Sequence, residues 1–219
     1  MNSLQRETGQ SLELAYVTTP MKGRESGMPE EPYWNTFYDA DCIVEKLECT
    51  RENRESIVEF GSGYGTFTFP TAKRTSGLVH ALDIEPDLVA LIQRKASEAG
   101  FSNIRAEVRD FIAQGTGLTS ASVDHAMVYN ILHIDDPVRL LREAYRILKP
   151  GGIVSIVHWK YDPSTPRGPS MSIRPRPEQC RAWAEAAGFV FMRDQDLSAC
   201  CQYHYGLLLA RPQTEFKAA

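Results

Sequence analysis

The segment Val58-Glu59-Phe60-Gly61-Ser62-Gly63-Tyr64-Gly65 holds the residue types best suited to chemistry. The apolar run SIVEF ends in glycines at alternate positions, as a buried strand does before a tight turn. Such a turn lets a ligand approach the backbone closely, and free N–H groups at the start of a following helix can meet its polar atoms. The second feature is Asp83, at the end of the next apolar run, LVHALD. An acid about 20 residues beyond a glycine turn commonly accepts hydrogen bonds from ribose hydroxyls. The two together point to an adenosine-containing ligand. A dinucleotide loop needs G-x-G-x-x-G/A, but Thr66 stands at the last position and the extra glycine falls one place earlier, at Gly65. Glu59 would repel a pyrophosphate and attract an ammonium group. Both departures speak against a nicotinamide or flavin dinucleotide, and so against a nucleotide-dependent oxidoreductase.

The elements that must position these residues alternate along the chain. SIVEF, LVHALD, NIRAEVRD, VDHAMVYNIL and IVSIVHW read as strands. Between them, GTFTFPTAKRT reads as a short helix, limited by Pro70, and PDLVALIQRKASEAG as one that starts with Pro86 and ends at Gly100. DPVRLLREAYRIL reads as an amphipathic helix with Val138, Leu141, Ala144 and Leu148 on one side, stopped by LKPGG. This alternation predicts a mainly parallel α/β sheet covered on both faces. Residues 1–30 read as an irregular arm. Tyr33, Trp34, Phe37 and Tyr38 form an aromatic cluster, either core or a lid. Asp39 is a candidate cap for a helix through Ile43, Val44 and Leu47. Residues 160–178, rich in Pro and Arg, read as a long loop. RAWAEAAGF is a final helix, and FVFMRD and YHYGLLLA a closing strand pair. The expected organisation is an N-terminal arm or lid over 1–38 and one domain over 39–212.

The 219 residues, 42% hydrophobic and 24% charged, suit one ordinary globular domain. A net charge of −4 argues against nucleic acid as the main partner. No window is apolar enough for a membrane helix, and the N-terminus lacks a signal-peptide pattern. Five cysteines, with no C-x-x-C pair, argue against a disulfide framework and for a reducing cytoplasm. Adjacent Cys200 and Cys201 could bind a soft metal, although free cysteine usually behaves as a small buried hydrophobe. No metal site is expected.

EFGSGYG resembles the first motif, D/E-x-G-x-G-x-G, of class I S-adenosylmethionine-dependent methyltransferases. ALDIEPD resembles the family's second motif, VRDF its adenine-contacting segment, VDHAMVYNILHI its fourth-strand motif, and YRILKPGGIVSIV the segment that follows. The likeness is close over roughly residues 55–160. It is nearest the small-molecule branch that includes the type 11 and ubiquinone-biosynthesis-like enzymes. It implies a doubly wound, Rossmann-like, seven-stranded and mostly parallel sheet with an antiparallel C-terminal hairpin. By resemblance, Gly61 and Gly63 lie under the methionine part of S-adenosyl-L-methionine, and Glu59 holds its ammonium. Asp83 takes the ribose hydroxyls and Ile84 packs on adenine. Asp110 accepts from the adenine amino group with Phe111 beside it, and Asn130 lies by the methionine part. Each has a plainer reading: a tight turn for the glycines, helix caps for Asp83 and Asp110, a strand end for Asn130.

The expected activity is methyl transfer to a carbon or oxygen of a small molecule, by holding both reactants in near-attack geometry. A non-catalytic adenosylmethionine-binding partner subunit is the alternative. A base is needed only if the acceptor must lose a proton. The candidates are His133, His158, Tyr203 and His204. The N/D-P-P-Y/F motif of many amide and adenine methyltransferases is absent, with YNIL in its place. Arg167, Arg174 and Arg176 either bind an acidic substrate or are solvated charges. A homodimer is compatible with the sequence.

Overall fold

The computed structural model describes residues 28–49 and 55–213. The N-terminal arm therefore lies largely outside the described residues. Thirteen elements follow in order among them: α1 (Glu31–Asn35), α2 (Ala40–Lys46), β1 (Ser56–Phe60), α3 (Thr68–Arg74), β2 (Leu78–Asp83), α4 (Pro86–Glu98), β3 (Ile104–Val108), β4 (Val123–Tyr129), α5 (Pro137–Ile147), β5 (Leu148–Trp159), α6 (Pro177–Ala186), β6 (Val190–Gln195) and β7 (His204–Ala210).

The strands form one seven-stranded sheet in the order β3-β2-β1-β4-β5-β7-β6. β1 pairs in parallel with β2 and β4, β2 with β3, and β4 with β5. β7 runs antiparallel between β5 and β6. This is the expected doubly wound sheet with an antiparallel C-terminal pair. Strand order reverses between β1 and β4, and in open α/β sheets the crevice outside the carboxyl ends at such a switch point is where ligands bind.

Both faces are covered, which is why the central strands are continuous apolar runs. Val58, Phe60, Val128 and Ile156 pack on one face with Leu141 and Ala144 of α5 and Ala184 of α6. Ile57, Val79, Met127 and Val157 pack on the other, with Ile43 and Val44 of α2 and Ala72 of α3. Full burial of each such aliphatic side chain contributes ~1.5–3 kcal/mol.

Local signals set the helix starts. Asp39 accepts from the Cys42 N–H at 3.0 Å and caps α2, and Asp136 accepts from the Arg139 N–H at 2.9 Å and caps α5. Pro86, Pro137 and Pro177 each open a helix, where the missing N–H has no intrahelical partner to lose. Pro70 sits in the first turn of α3 for the same reason.

Three expectations are corrected. The buried stripe of α5 is Pro137, Leu140, Leu141, Ala144 and Ile147, and Val138 is only half-buried. LKPGG begins β5 rather than merely stopping α5, with a register irregularity between Val123 and His125 where the strand bends around the glycines. Cys42 and Cys200 form a disulfide across 158 residues, their Cα atoms 5.5 Å apart. Odd cysteine number excluded complete pairing, not one pair. Cys200 is therefore unavailable to a soft metal alongside buried Cys201.

Candidate functional site

β1 delivers Glu59 to the switch point and then turns at once. Gly61 N–H and Ser62 N–H both donate to the Leu82 carbonyl, at 2.8 and 3.0 Å, which ties the glycine loop to the end of β2. Gly65 has φ +81°, and a Cβ there would stand 2.6 Å from the Phe69 ring. Glycine is thus required at the very position that departs from the dinucleotide pattern. Gly63 has φ +53°, and a Cβ there would meet Met28 at 3.0 Å.

The loop, β2 and the segments after β3 and β4 enclose a cavity of about 470 Å³. Every residue expected to meet the cofactor lines it: Glu59, Gly61, Gly63, Asp83, Ile84, Asp110, Phe111 and Asn130. Of the candidate bases, His133 lines it as well. His158 is fully buried behind, its Nε2 3.3 Å from Nδ1 of His133. Tyr203 and His204 are not among the lining residues. Tyr203 stands with its ring 6.3 Å from that of Phe37, and His204 packs against Trp159.

The acids differ in their surroundings. Glu59 is 1% exposed, accepts a short bond from the Thr68 hydroxyl, and has no ion-pair partner among the described residues. Burial pushes its carboxyl up to about 8; the Thr68 bond opposes the rise and the Asp83 charge adds to it. Asp83 accepts from Gly63 N–H at 2.7 Å through Oδ2 and from Glu85 N–H at 3.0 Å through Oδ1. It therefore braces the loop from across the cleft. Asp110 accepts from Ala113 N–H at 2.8 Å, so its capping role and its place on the wall coexist.

Asn130 ends β4 with φ +54°, a conformation uncommon for a residue other than glycine and concentrated at functional sites. Its Nδ2 donates to the Tyr38 hydroxyl at 3.0 Å, while Oδ1 is buried without a partner. His133 and His158 are both held below the ordinary histidine range, chiefly by burial.

The wall also contains residues that the sequence did not single out for binding. Met28, Leu88, Arg109 and Tyr129 had no distinguishing pattern. Trp34 enters from the aromatic cluster, whose Phe37 is 7% exposed and packs on Trp159. The cluster is thus core at Phe37 and cavity wall at Trp34. Tyr64 donates to the Pro29 carbonyl, Thr66 to Asn35 Oδ1, and Lys95 pairs with Glu31. These contacts lay residues 28–35 over the glycine loop.

The loop 160–176 completes the rim with Arg167, Gly168 and Pro169. Arg174, 7% exposed, pins that loop by donating to the carbonyls of Pro169, Lys160, Asp162 and Arg167 and to the Thr165 hydroxyl. Of the two readings open for Arg174, neither holds: it is a buried brace.

These features suit S-adenosylmethionine. The cradle excludes a Cβ, Glu59 is a buried acid lacking a cation, and Ile84, Leu88 and Phe111 supply an apolar slot beside Asp83. The volume falls within the usual range for small-ligand sites.

The sequence of residues 57–152 matches the family model described as a methyltransferase domain. Among curated proteins, the chain is 32% identical over 104 residues to aklanonic acid methyltransferase DauC of Streptomyces sp. (strain C5), covering 46% of each. It is 27% identical over 120 residues to demethylmenaquinone methyltransferase of Chlorobaculum parvum, covering 55% of this chain and 46% of that one. The matches thus span about half the length of these curated relatives. A SAM-dependent methyltransferase from Aquifex aeolicus superposes with a TM-score of 0.72 at 20% identity, over 83% of this chain and 94% of the other, a likeness of fold. The matched segment, which holds the glycine loop, Asp83 and the fourth-strand segment, is similar to the methyltransferase domain family, and the seven-stranded sheet around it has the fold of the SAM-dependent methyltransferase from Aquifex aeolicus.

Proposed function

We propose that this chain transfers a methyl group from S-adenosylmethionine to a carbon or oxygen of a small-molecule acceptor. The observation that carries this reading is the convergence of Glu59, Asp83, Asp110 and His133 on one cavity at the switch point of the sheet. In this reading Gly61 and Gly63 lie under the methionine part, with Glu59 and Asn130 as its polar partners. Asp83 serves the ribose, and Ile84, Asp110 and Phe111 the adenine. Bound there, S-adenosylmethionine supplies an electrophilic methyl on a sulfonium.

The protein holds the acceptor in line, excludes water and removes a proton where the acceptor has one to lose. His133 is the proposed base. The Trp159 carbonyl can only accept, so its 3.5 Å contact favours the tautomer of His158 protonated on Nδ1. His158 Nε2 is then an acceptor for His133 Nδ1–H, and the lone pair of His133 Nε2 is left for the acceptor's proton. His158 is a positioning residue in this scheme. Tyr203 has no role in it.

Small-molecule chemistry without nucleic acid accords with the net charge of −4. Among the described residues no helix is long and apolar enough to cross a membrane. A cytoplasmic setting remains part of the proposal and has the Cys42–Cys200 pair against it. A homodimer is supported only by the open edge at β6, where Val190 and Met192 are exposed. The decisive experiment is calorimetric titration with S-adenosylmethionine, S-adenosylhomocysteine and NADH, followed by transfer of a labelled methyl to an acceptor panel. Binding of the sulfur ligands with transfer supports the reading. Binding without transfer to any acceptor favours a non-catalytic partner subunit, and NADH binding alone an oxidoreductase.

A further inference from the structure

A second cavity, of about 480 Å³, also has His133 in its wall. The two cavities share His133 and Ile134 as wall. The loop pinned by Arg174 separates them elsewhere: Arg167, Gly168 and Pro169 face the first, and Met171 to Arg176 the second. In a transfer between two bound molecules the reacting atoms must meet where their sites join. Here the residues common to both walls are Ile134 and His133, the proposed base.

The walls of the second cavity define its ligand. Trp183, Ile134, Pro175 and the Tyr161 ring offer an apolar, partly aromatic surface. Two arginines line it, but every donor nitrogen of Arg174 is engaged with the loop. Arg176 is different. Its guanidinium sits 3.7 Å over the Tyr161 ring and has no ion pair among the described residues. Stacking orients the guanidinium plane and leaves its N–H edge for a carboxylate. Asp135, which is exposed, is the acid among the residues that line the cavity.

We propose that this second cavity holds the methyl acceptor, and that the acceptor is a small apolar or aromatic carboxylic acid whose carboxylate meets Arg176 and whose body lies against Trp183 and Ile134. The role of acceptor rests on the methyltransferase reading; the existence of the site does not.

The test is calorimetry on the full chain saturated with S-adenosylhomocysteine, with 2-naphthoate as probe and uncharged 2-naphthylmethanol as control. The expected result is naphthoate binding that weakens about tenfold in Arg176→Gln and recovers in part in Arg176→Lys. Affinity for S-adenosylhomocysteine and for naphthylmethanol should be unchanged by either substitution. Naphthoate binding that ignores Arg176→Gln, that occurs only without S-adenosylhomocysteine, or that does not occur at all overturns the proposal. Failure of S-adenosylhomocysteine to bind sinks the methyltransferase reading instead, and the Arg176 dependence of naphthoate binding still decides whether the second site exists.

Discussion

The Tyr38 hydroxyl lies 3.0 Å from Nε2 of His204, across 166 residues of sequence. Because Asn130 Nδ2 donates to the same hydroxyl, Tyr38 donates in turn to His204. Burial holds His204 down at about 3, so it is a neutral acceptor throughout the physiological range. A residue at the edge of the N-terminal aromatic cluster thereby fixes the amide that ends β4 at the cavity.

Tyr38→Phe keeps the ring and removes the link. It leaves Asn130 and His204 unpaired in a buried place, which should cost ~1–3 kcal/mol of stability by denaturant unfolding. In a methyl-transfer assay kcat should fall more than KM changes, since Asn130 loses its orientation rather than its surface. Equal activity of the variant would show that Asn130 needs no such support.

Glu59 links cofactor binding to pH. Its folded pKa of about 8 lies above its unfolded value, so its contribution to the stability of the ligand-free protein is complete below the ordinary carboxylate range and is lost as pH rises through about 8. An ammonium-bearing ligand needs the ionised form. Binding of S-adenosylhomocysteine near neutral pH should therefore release a proton, seen as a buffer-dependent calorimetric enthalpy. Glu59→Gln should abolish that release and weaken binding. Proton uptake by the wild-type protein would place Glu59 elsewhere in the scheme.

Asp83→Ala removes the acceptor for two backbone N–H groups, Gly63 and Glu85. We expect a stability loss of ~1–3 kcal/mol without global unfolding, and at least about tenfold weaker S-adenosylhomocysteine binding. Unchanged affinity would leave Asp83 as a loop brace alone.

Reduction of Cys42–Cys200 removes a cross-link of 158 residues between α2 and the turn before β7. Unfolding free energy should drop by ~2–4 kcal/mol on adding a dithiol, and Cys42→Ser should show the same loss with no further response to reductant. Thiol counting on the protein as isolated checks the premise: three free cysteines are expected, and five would refute the pairing.

The glycine loop, Asp83 and the alternation of strands and helices were legible in the sequence because each depends on a few neighbouring residues. Buried parallel strands must be apolar runs, and a turn such as that at Gly65 admits only glycine. The doubly wound, seven-stranded sheet was implied by the resemblance of the motif set, whereas the strand order, with β1 and β4 flanking the switch point, is a finding of the structure.

Tertiary structure alone decided the partners that distance in sequence conceals. Nothing local marks Cys42 for Cys200, Tyr38 for His204 or Met28 for Gly63, because such pairs are set by where the C-terminal antiparallel strands and residues 28–38 pack on the finished sheet. Arg174 shows the same limit. In a loop with no period its charge reads as solvated or substrate-binding, and only the folded backbone turns enough carbonyls inward to consume it. Nothing local brings His133 to His158 either: their ring nitrogens stand 3.3 Å apart only because β5 lies beside the segment that follows β4.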